Sequence, residues 1–121
     1  MFDLSKFSLK GNVAIVTGGG RGIGKAIAQG FAKAGARVAI TSRKMNDLEA
    51  TAAEIKAFGG EAFPVPAHLG KMEEINRMVS AVMDKFGRID ILVNNAGTAP
   101  ALASVLDSDE RLWETIINLN M

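Results

Sequence analysis

Cysteine and tyrosine are both absent from this chain of 121 residues, and each absence removes a class of chemistry. Without cysteine there is no disulfide, no thiolate nucleophile and no sulfur-based metal site. Without tyrosine there is no phenolic group to give or take a proton. Histidine occurs once, at His68, so no histidine cluster can form and metal chemistry is not expected. No apolar run approaches the roughly 20 residues of a membrane span. The opening residues, Met1 to Lys6, have neither a basic leader nor an apolar signal core. A formal charge of +1, without a basic stripe, gives no reason to expect nucleic acid or a membrane as a partner. A cytoplasmic protein is the expectation.

What is present is an ordinary globular composition, 48% apolar and 22% charged, so one soluble domain is the starting point. Val13 to Val16 are apolar on consecutive residues, as in a strand buried on both faces of a parallel sheet. A glycine-dense turn follows, and then a helical pattern on Ile23, Ile27, Phe31 and Ala34, with Ala26 and Gly30 small enough to let that helix lie close to a sheet. Glycines free the backbone to approach a ligand, and a helix start directs N–H groups and a positive dipole end at it, so the turn is a cradle for an anion.

The rest of the chain repeats the alternation. Arg37 to Ser42 reads as a second strand, and Asn46 with Glu49 as a capping box for a helix carrying Leu48, Ala52 and Ile55. Residues 62–69 contain Pro64 and Pro66, which cannot donate to a ladder, so a strand there belongs at a sheet edge. Ile75, Met78, Val79, Val82 and Phe86 form the next helical stripe, ending at Gly87, and Ile89 to Val93 is a further buried strand. A final helix is expected from Asp107, capped by Glu110, with Leu112, Trp113, Ile116 and Ile117 on one face. Strands alternating with amphipathic helices imply a doubly wound α/β domain with a parallel sheet, its ligand at the strand C-terminal ends. The sheet is expected to be truncated after about four strands, residues 1–121 being a partial domain that ends within a helix.

Gly19 to Lys25 also fits the first part of a nucleoside-triphosphate loop, but Ala26 stands where that motif needs a hydroxyl for magnesium, and no later strand ends in Asp. Triphosphate hydrolysis is therefore disfavoured. Thr17-Gly18-Gly19-Gly20-Arg21-Gly22-Ile23-Gly24, together with Asn94-Asn95-Ala96-Gly97, resembles the short-chain dehydrogenase/reductase family over essentially the whole chain. The resemblance implies a Rossmann-type fold, with Gly18, Gly20, Gly22 and Gly24 along a cofactor pyrophosphate. It also implies Ile23 near the nicotinamide end, and Asn94, Ala96 and Gly97 along the adenosine.

The end of the second strand bears on the choice of cofactor. An acidic residue there would bind the ribose hydroxyls of NAD, whereas this chain has Thr41-Ser42-Arg43-Lys44. Arg43 and, across the loop, Arg21 are charge-assisted donors suited to a phosphate dianion, which favours NADP(H) over NAD(H). In the resembling family an acidic residue at the end of the third strand meets the adenine amine. Here His68 and Leu69 occupy that place, as in a carbonyl-reductase subgroup. Asn120, in Trp-Glu-Thr-Ile-Ile-Asn-Leu-Asn, looks like the family's catalytic asparagine, with Asn118 the competing candidate at a spacing from Trp113 that matches less well. The family's serine and Tyr-x-x-x-Lys are not in these residues.

The resemblance thus implies an oxidoreductase moving hydride between NADP(H) and a small carbonyl or alcohol substrate, homo-oligomeric in full-length form. This chain would supply the cofactor-binding half and be inactive alone. A non-catalytic NADP(H)-binding module or sensor is the alternative.

Overall fold

The computed structural model describes residues 8–20, 22–95 and 115–118. Among the described residues the elements run β1 (Val13–Thr17), α1 (Gly22–Lys33), β2 (Arg37–Ser42), α2 (Met45–Ala57), β3 (Glu61–Pro66), α3 (Met72–Phe86), β4 (Ile91–Asn94) and β5 (Thr115–Asn118). All strand pairs are parallel and the order across the sheet is β3-β2-β1-β4-β5. This is the doubly wound α/β arrangement. The chain leaves β1 toward β2 on one side and places β4 on the other, so the strand order reverses between β1 and β4.

Burial explains why the strands read as continuous apolar runs. Every residue of β1 is buried, Val13 to Val16 completely, because helices cover both faces. On one face Val13, Ile15, Ala39, Val65 and Leu92 pack against Ile75, Met78, Val82 and Phe86 of α3. On the other, Ala14, Val16, Val38, Ile40 and Val93 pack against Ala28 and Phe31 of α1 and Leu48, Ala52 and Ile55 of α2. β3 lies at the edge, where Pro64 and Pro66 cost no outward ladder bond. Gly87, left-handed at φ 80°, closes α3 by donating its N–H to the Met83 carbonyl.

Three local expectations need correction. The side of α1 that packs inward is Gly24, Ala28, Phe31 and Ala32, while Ala26 is exposed, so the close approach is made by Gly24 rather than by Ala26 and Gly30. α2 begins at Met45 behind Lys44, with no side-chain cap, so Asn46 already lies inside the helix and the Asn46–Glu49 capping box does not form. Thr115–Asn118, expected on the face of a helix, is a strand in register with Ile91–Asn94. Its Thr-Ile-Ile run is β-branched, and pairing satisfies the edge that β4 would otherwise expose. Asp107 and Glu110 lie outside the described residues.

Candidate dinucleotide site

A cleft of about 670 Å³ opens over the C-terminal ends of β1, β2 and β3, lined by Gly18 and Gly20 from the glycine turn, Ser42, Arg43, Lys44 and Asp47 from the β2–α2 corner, and Ala67, His68, Leu69 and Gly70 from the β3–α3 corner. Its size and its place beside the strand-order reversal suit a nucleotide.

The glycine turn has its shape for stated reasons. Gly18 and Gly22 have φ of +68° and +63°, which L side chains rarely adopt. A Cβ on Gly24 would lie 2.1 Å from the Gly18 carbonyl oxygen, so only glycine lets the first turn of α1 rest on the end of β1. Gly18 donates its N–H to the Thr41 carbonyl at 2.8 Å, tying the turn to β2. Thr51 of α2 donates its hydroxyl to the Gly20 carbonyl at 3.3 Å. Farther along the same pair of helices, Lys25 and Gln29 both bond Glu54, at 2.9 and 2.7 Å.

At the β2–α2 corner, Ser42 accepts from the Lys44 backbone N–H at 3.3 Å. Arg43 and Lys44 are exposed at the mouth of the cleft. Asp47, in the first turn of α2, packs close to Gly20.

The β3–α3 corner is pinned by several bonds. Ala67 donates to the Ser42 carbonyl at 2.9 Å, and Arg77 donates to the Pro66 carbonyl at 2.6 Å. Glu74 accepts the His68 backbone N–H at 2.9 Å, and His68 Nδ1 accepts the Gly70 N–H at 3.0 Å. The N–H donated by His68 holds the Glu74 carboxyl below the ordinary carboxylate value; desolvation opposes this and the nearby Arg77 charge adds to it.

Of the residues expected to bind cofactor, Gly18, Gly20, Ser42, Arg43, His68 and Leu69 line one cleft although they come from three separate corners. Gly22, Ile23, Gly24 and Asn94 do not line it. Gly22 and Gly24 shape the turn, and Ile23 is 45% exposed at the start of α1. Asn94 is buried, and its Oδ1 accepts from the Thr17 hydroxyl at 3.4 Å, joining the ends of β1 and β4. Arg21, Ala96, Gly97 and Asn120 lie outside the described residues. Lys44, Asp47 and Gly70 were not singled out by sequence reasoning. Asp47 carries a local signal, an acidic residue in a first helical turn next to a basic pair, but nothing local says that this turn faces the glycines.

A family model described as short chain dehydrogenase matches residues 12–121. The chain belongs to the short-chain dehydrogenase family. Among its relatives in this family, a 3-oxoacyl-[acyl-carrier-protein] reductase of Synechocystis sp. is 40% identical over 116 residues, covering 94% of this chain and 46% of the relative. A rhamnolipids biosynthesis 3-oxoacyl-[acyl-carrier-protein] reductase of Pseudomonas aeruginosa is 44% identical over 117 residues, covering 95% and 44%. A metagenomic short-chain oxidoreductase solved in complex with NADP is 46% identical with a TM-score of 0.71, over 74% of this chain and 40% of that one. A hydroxysteroid dehydrogenase from Escherichia coli superimposes with a TM-score of 0.74 at 38% identity, over 78% and 39%. The chain spans less than half the length of these relatives. No helix among the described residues is long and apolar enough to cross a membrane.

Proposed function

We propose that this chain is the cofactor-binding portion of a short-chain dehydrogenase that transfers hydride between NADP(H) and a carbonyl or alcohol substrate. The observation that carries the reading is the cleft itself, with the glycine turn at one end and a β2 terminus that presents Ser42, Arg43 and Lys44 in place of a carboxylate. A dinucleotide fits the residues present. Any side chain at Gly24 would strike the Gly18 carbonyl and push α1 away from the turn, as expected for a backbone shaped around a phosphate. The bound nicotinamide would supply or accept the hydride. The chain's own residues bind and orient: turn amides face the pyrophosphate, and Arg43 and Lys44 face a 2′-phosphate, outnumbering the single carboxylate of Asp47 on the cleft wall. With no tyrosine in its 121 residues, the chain alone lacks the proton partner and oxidises no NADPH with a ketone.

Titrating the chain with NADPH and with NADH, followed by nicotinamide fluorescence, tests this reading. NADPH is expected to bind more tightly. Arg43→Ala should weaken NADPH by roughly 10- to 100-fold, the value of one charge-assisted bond, and leave NADH within about twofold. Equal losses for the two cofactors would overturn the NADP(H) assignment, and no binding of either would overturn the whole proposal.

A further inference from the structure

Gly20 lines the cleft, and its carbonyl oxygen is bonded from behind: the Thr51 hydroxyl of α2, 3.3 Å away, donates to it. Thr51 has no exposed surface and lies beneath the turn rather than on the cleft wall. Its surroundings on α2 are apolar. Leu48, Ala52 and Ile55 share the buried stripe, and a valine has the same branched shape, so packing alone does not call for a hydroxyl. A threonine inside a helix commonly gives its hydroxyl proton to the carbonyl three or four residues back. Here the proton goes to a residue 31 positions away, outside the helix.

The same face of α2 supports the turn and the helix after it. Asp47, Thr51 and Glu54 stand at i, i+4 and i+7. A Cβ on Gly20 would fall 2.8 Å from the Asp47 Cβ, and Glu54 accepts from Lys25 and Gln29 of α1. Elsewhere in the turn, Gly18 gives its N–H to the Thr41 carbonyl, and Gly19 lies against Ile40, whose Cβ a side chain at Gly19 would meet at 2.8 Å. An anion on such a turn is attracted by N–H groups and repelled by carbonyl oxygens, so the orientation of each peptide plane decides how well the turn binds. Three consecutive glycines, Gly18 to Gly20, give those planes little resistance to rotation. At Gly20 the Thr51 hydroxyl supplies it.

We propose that Thr51 is a positioning residue for the glycine turn: its buried hydroxyl keeps the Gly20 carbonyl directed into α2, and so keeps that oxygen away from a pyrophosphate seated on Gly18 and Gly20. The inference rests on the dinucleotide reading and adds to it a residue that acts through Gly20 without touching the cofactor. Its effect is confined to the pyrophosphate. The β2–α2 corner is held by bonds of its own, from the Lys44 N–H to the Ser42 hydroxyl and from the Ala67 N–H to the Ser42 carbonyl. A ligand that has the ribose phosphate but no pyrophosphate is therefore indifferent to Thr51.

The test titrates NADPH and adenosine 2′-monophosphate, which lacks the pyrophosphate, into the unmodified chain and into Thr51→Val, Thr51→Ala and Thr51→Ser. Thr51→Val is expected to weaken NADPH by roughly tenfold, the value of one hydrogen bond left unmade, and adenosine 2′-monophosphate by less than about twofold. Thr51→Ser restores the hydroxyl and should return NADPH to within roughly threefold of the unmodified chain, well short of the loss of one hydrogen bond. A general loosening of the fold weakens both ligands together, so equal losses overturn the inference. Unchanged NADPH binding in a folded Thr51→Val does the same. If the valine does not fold, Thr51→Ala, a strong helix former without the hydroxyl, is read against Thr51→Ser, and equal NADPH affinity in those two overturns the inference. In each case tight NADPH binding by the unmodified chain leaves the cofactor proposal standing, whereas failure of the unmodified chain to bind NADPH removes the two together.

Discussion

Gly24 and Gly18 touch backbone to backbone: a Cβ built on Gly24 falls 2.1 Å from the Gly18 carbonyl oxygen and 2.8 Å from Nδ2 of Asn95. The contact locks the first turn of α1 against the end of β1 and brings Asn95, just after β4, to the same point. Three elements that meet at the strand-order reversal are thus held by the lack of one methyl group.

Gly24→Ala should therefore cost more than an ordinary small-to-large change. The atom it meets is a backbone carbonyl that cannot rotate away, so the loss is about 2–3 kcal/mol of stability, at the upper end for overpacking. Urea denaturation measures it, and NADPH affinity of the folded variant should fall with it because the turn has to open.

At the opposite end of β1, Asp90 clips β4 to β1. Its Oδ2 accepts the Val13 N–H at 2.8 Å, its own N–H goes to the Val13 carbonyl at 2.9 Å, and Arg88 Nε donates to both carboxylate oxygens. Asp90 is only 8% exposed, so Asp90→Ala strands a buried N–H and should cost about 2–3 kcal/mol. Cofactor affinity of the folded protein should stay unchanged, because the clip lies a full strand away from the cleft. A variant that loses NADPH binding while remaining folded would contradict this separation.

Glu74 sets a pH dependence. Its carboxyl titrates below the ordinary value of 4.5 because the ionised form accepts the His68 N–H and faces Arg77. A depressed folded value means stability that is fully present above the unfolded value and is lost as pH falls through the folded one. Glu74→Ala should thus lower Tm near neutral pH, with the difference from the unmodified protein shrinking as the pH drops below about 4.5. A difference that is constant through this range would show that the carboxylate contributes nothing there.

Thr41 holds a buried hydroxyl with no hydrogen-bond partner among the described residues. Replacing it with the isosteric Val removes an unpaired polar atom from the sheet interior. Thr41→Val should be neutral or stabilising by up to about 1 kcal/mol, read from the urea midpoint.

Much of this fold is legible in the amino-acid sequence. Burial on both faces makes β1, β2 and β4 continuous apolar runs, and helix periodicity picks out Leu48, Ala52 and Ile55 and the α3 stripe, all buried as expected. The two prolines assign β3 to the edge because a missing N–H is a local fact. Segment 115–118 forms a strand where the sequence predicts a helix face, because a short β-branched apolar run fits either equally well and only a neighbouring strand in need of a partner decides between them.

Residue type and short spacing set the alternation of strands and helices, the glycine-dense turn after β1 and the lack of a carboxylate at the end of β2. Tertiary structure alone decided that α2 brings Asp47 and Thr51 against Gly20, that Asn94 is joined to Thr17, and that His68 Nδ1 accepts the Gly70 N–H at the cleft wall. Those relations arise from packing elements many residues apart, or from the one bond that commits a ring nitrogen, and neither leaves a mark in the local pattern of the chain.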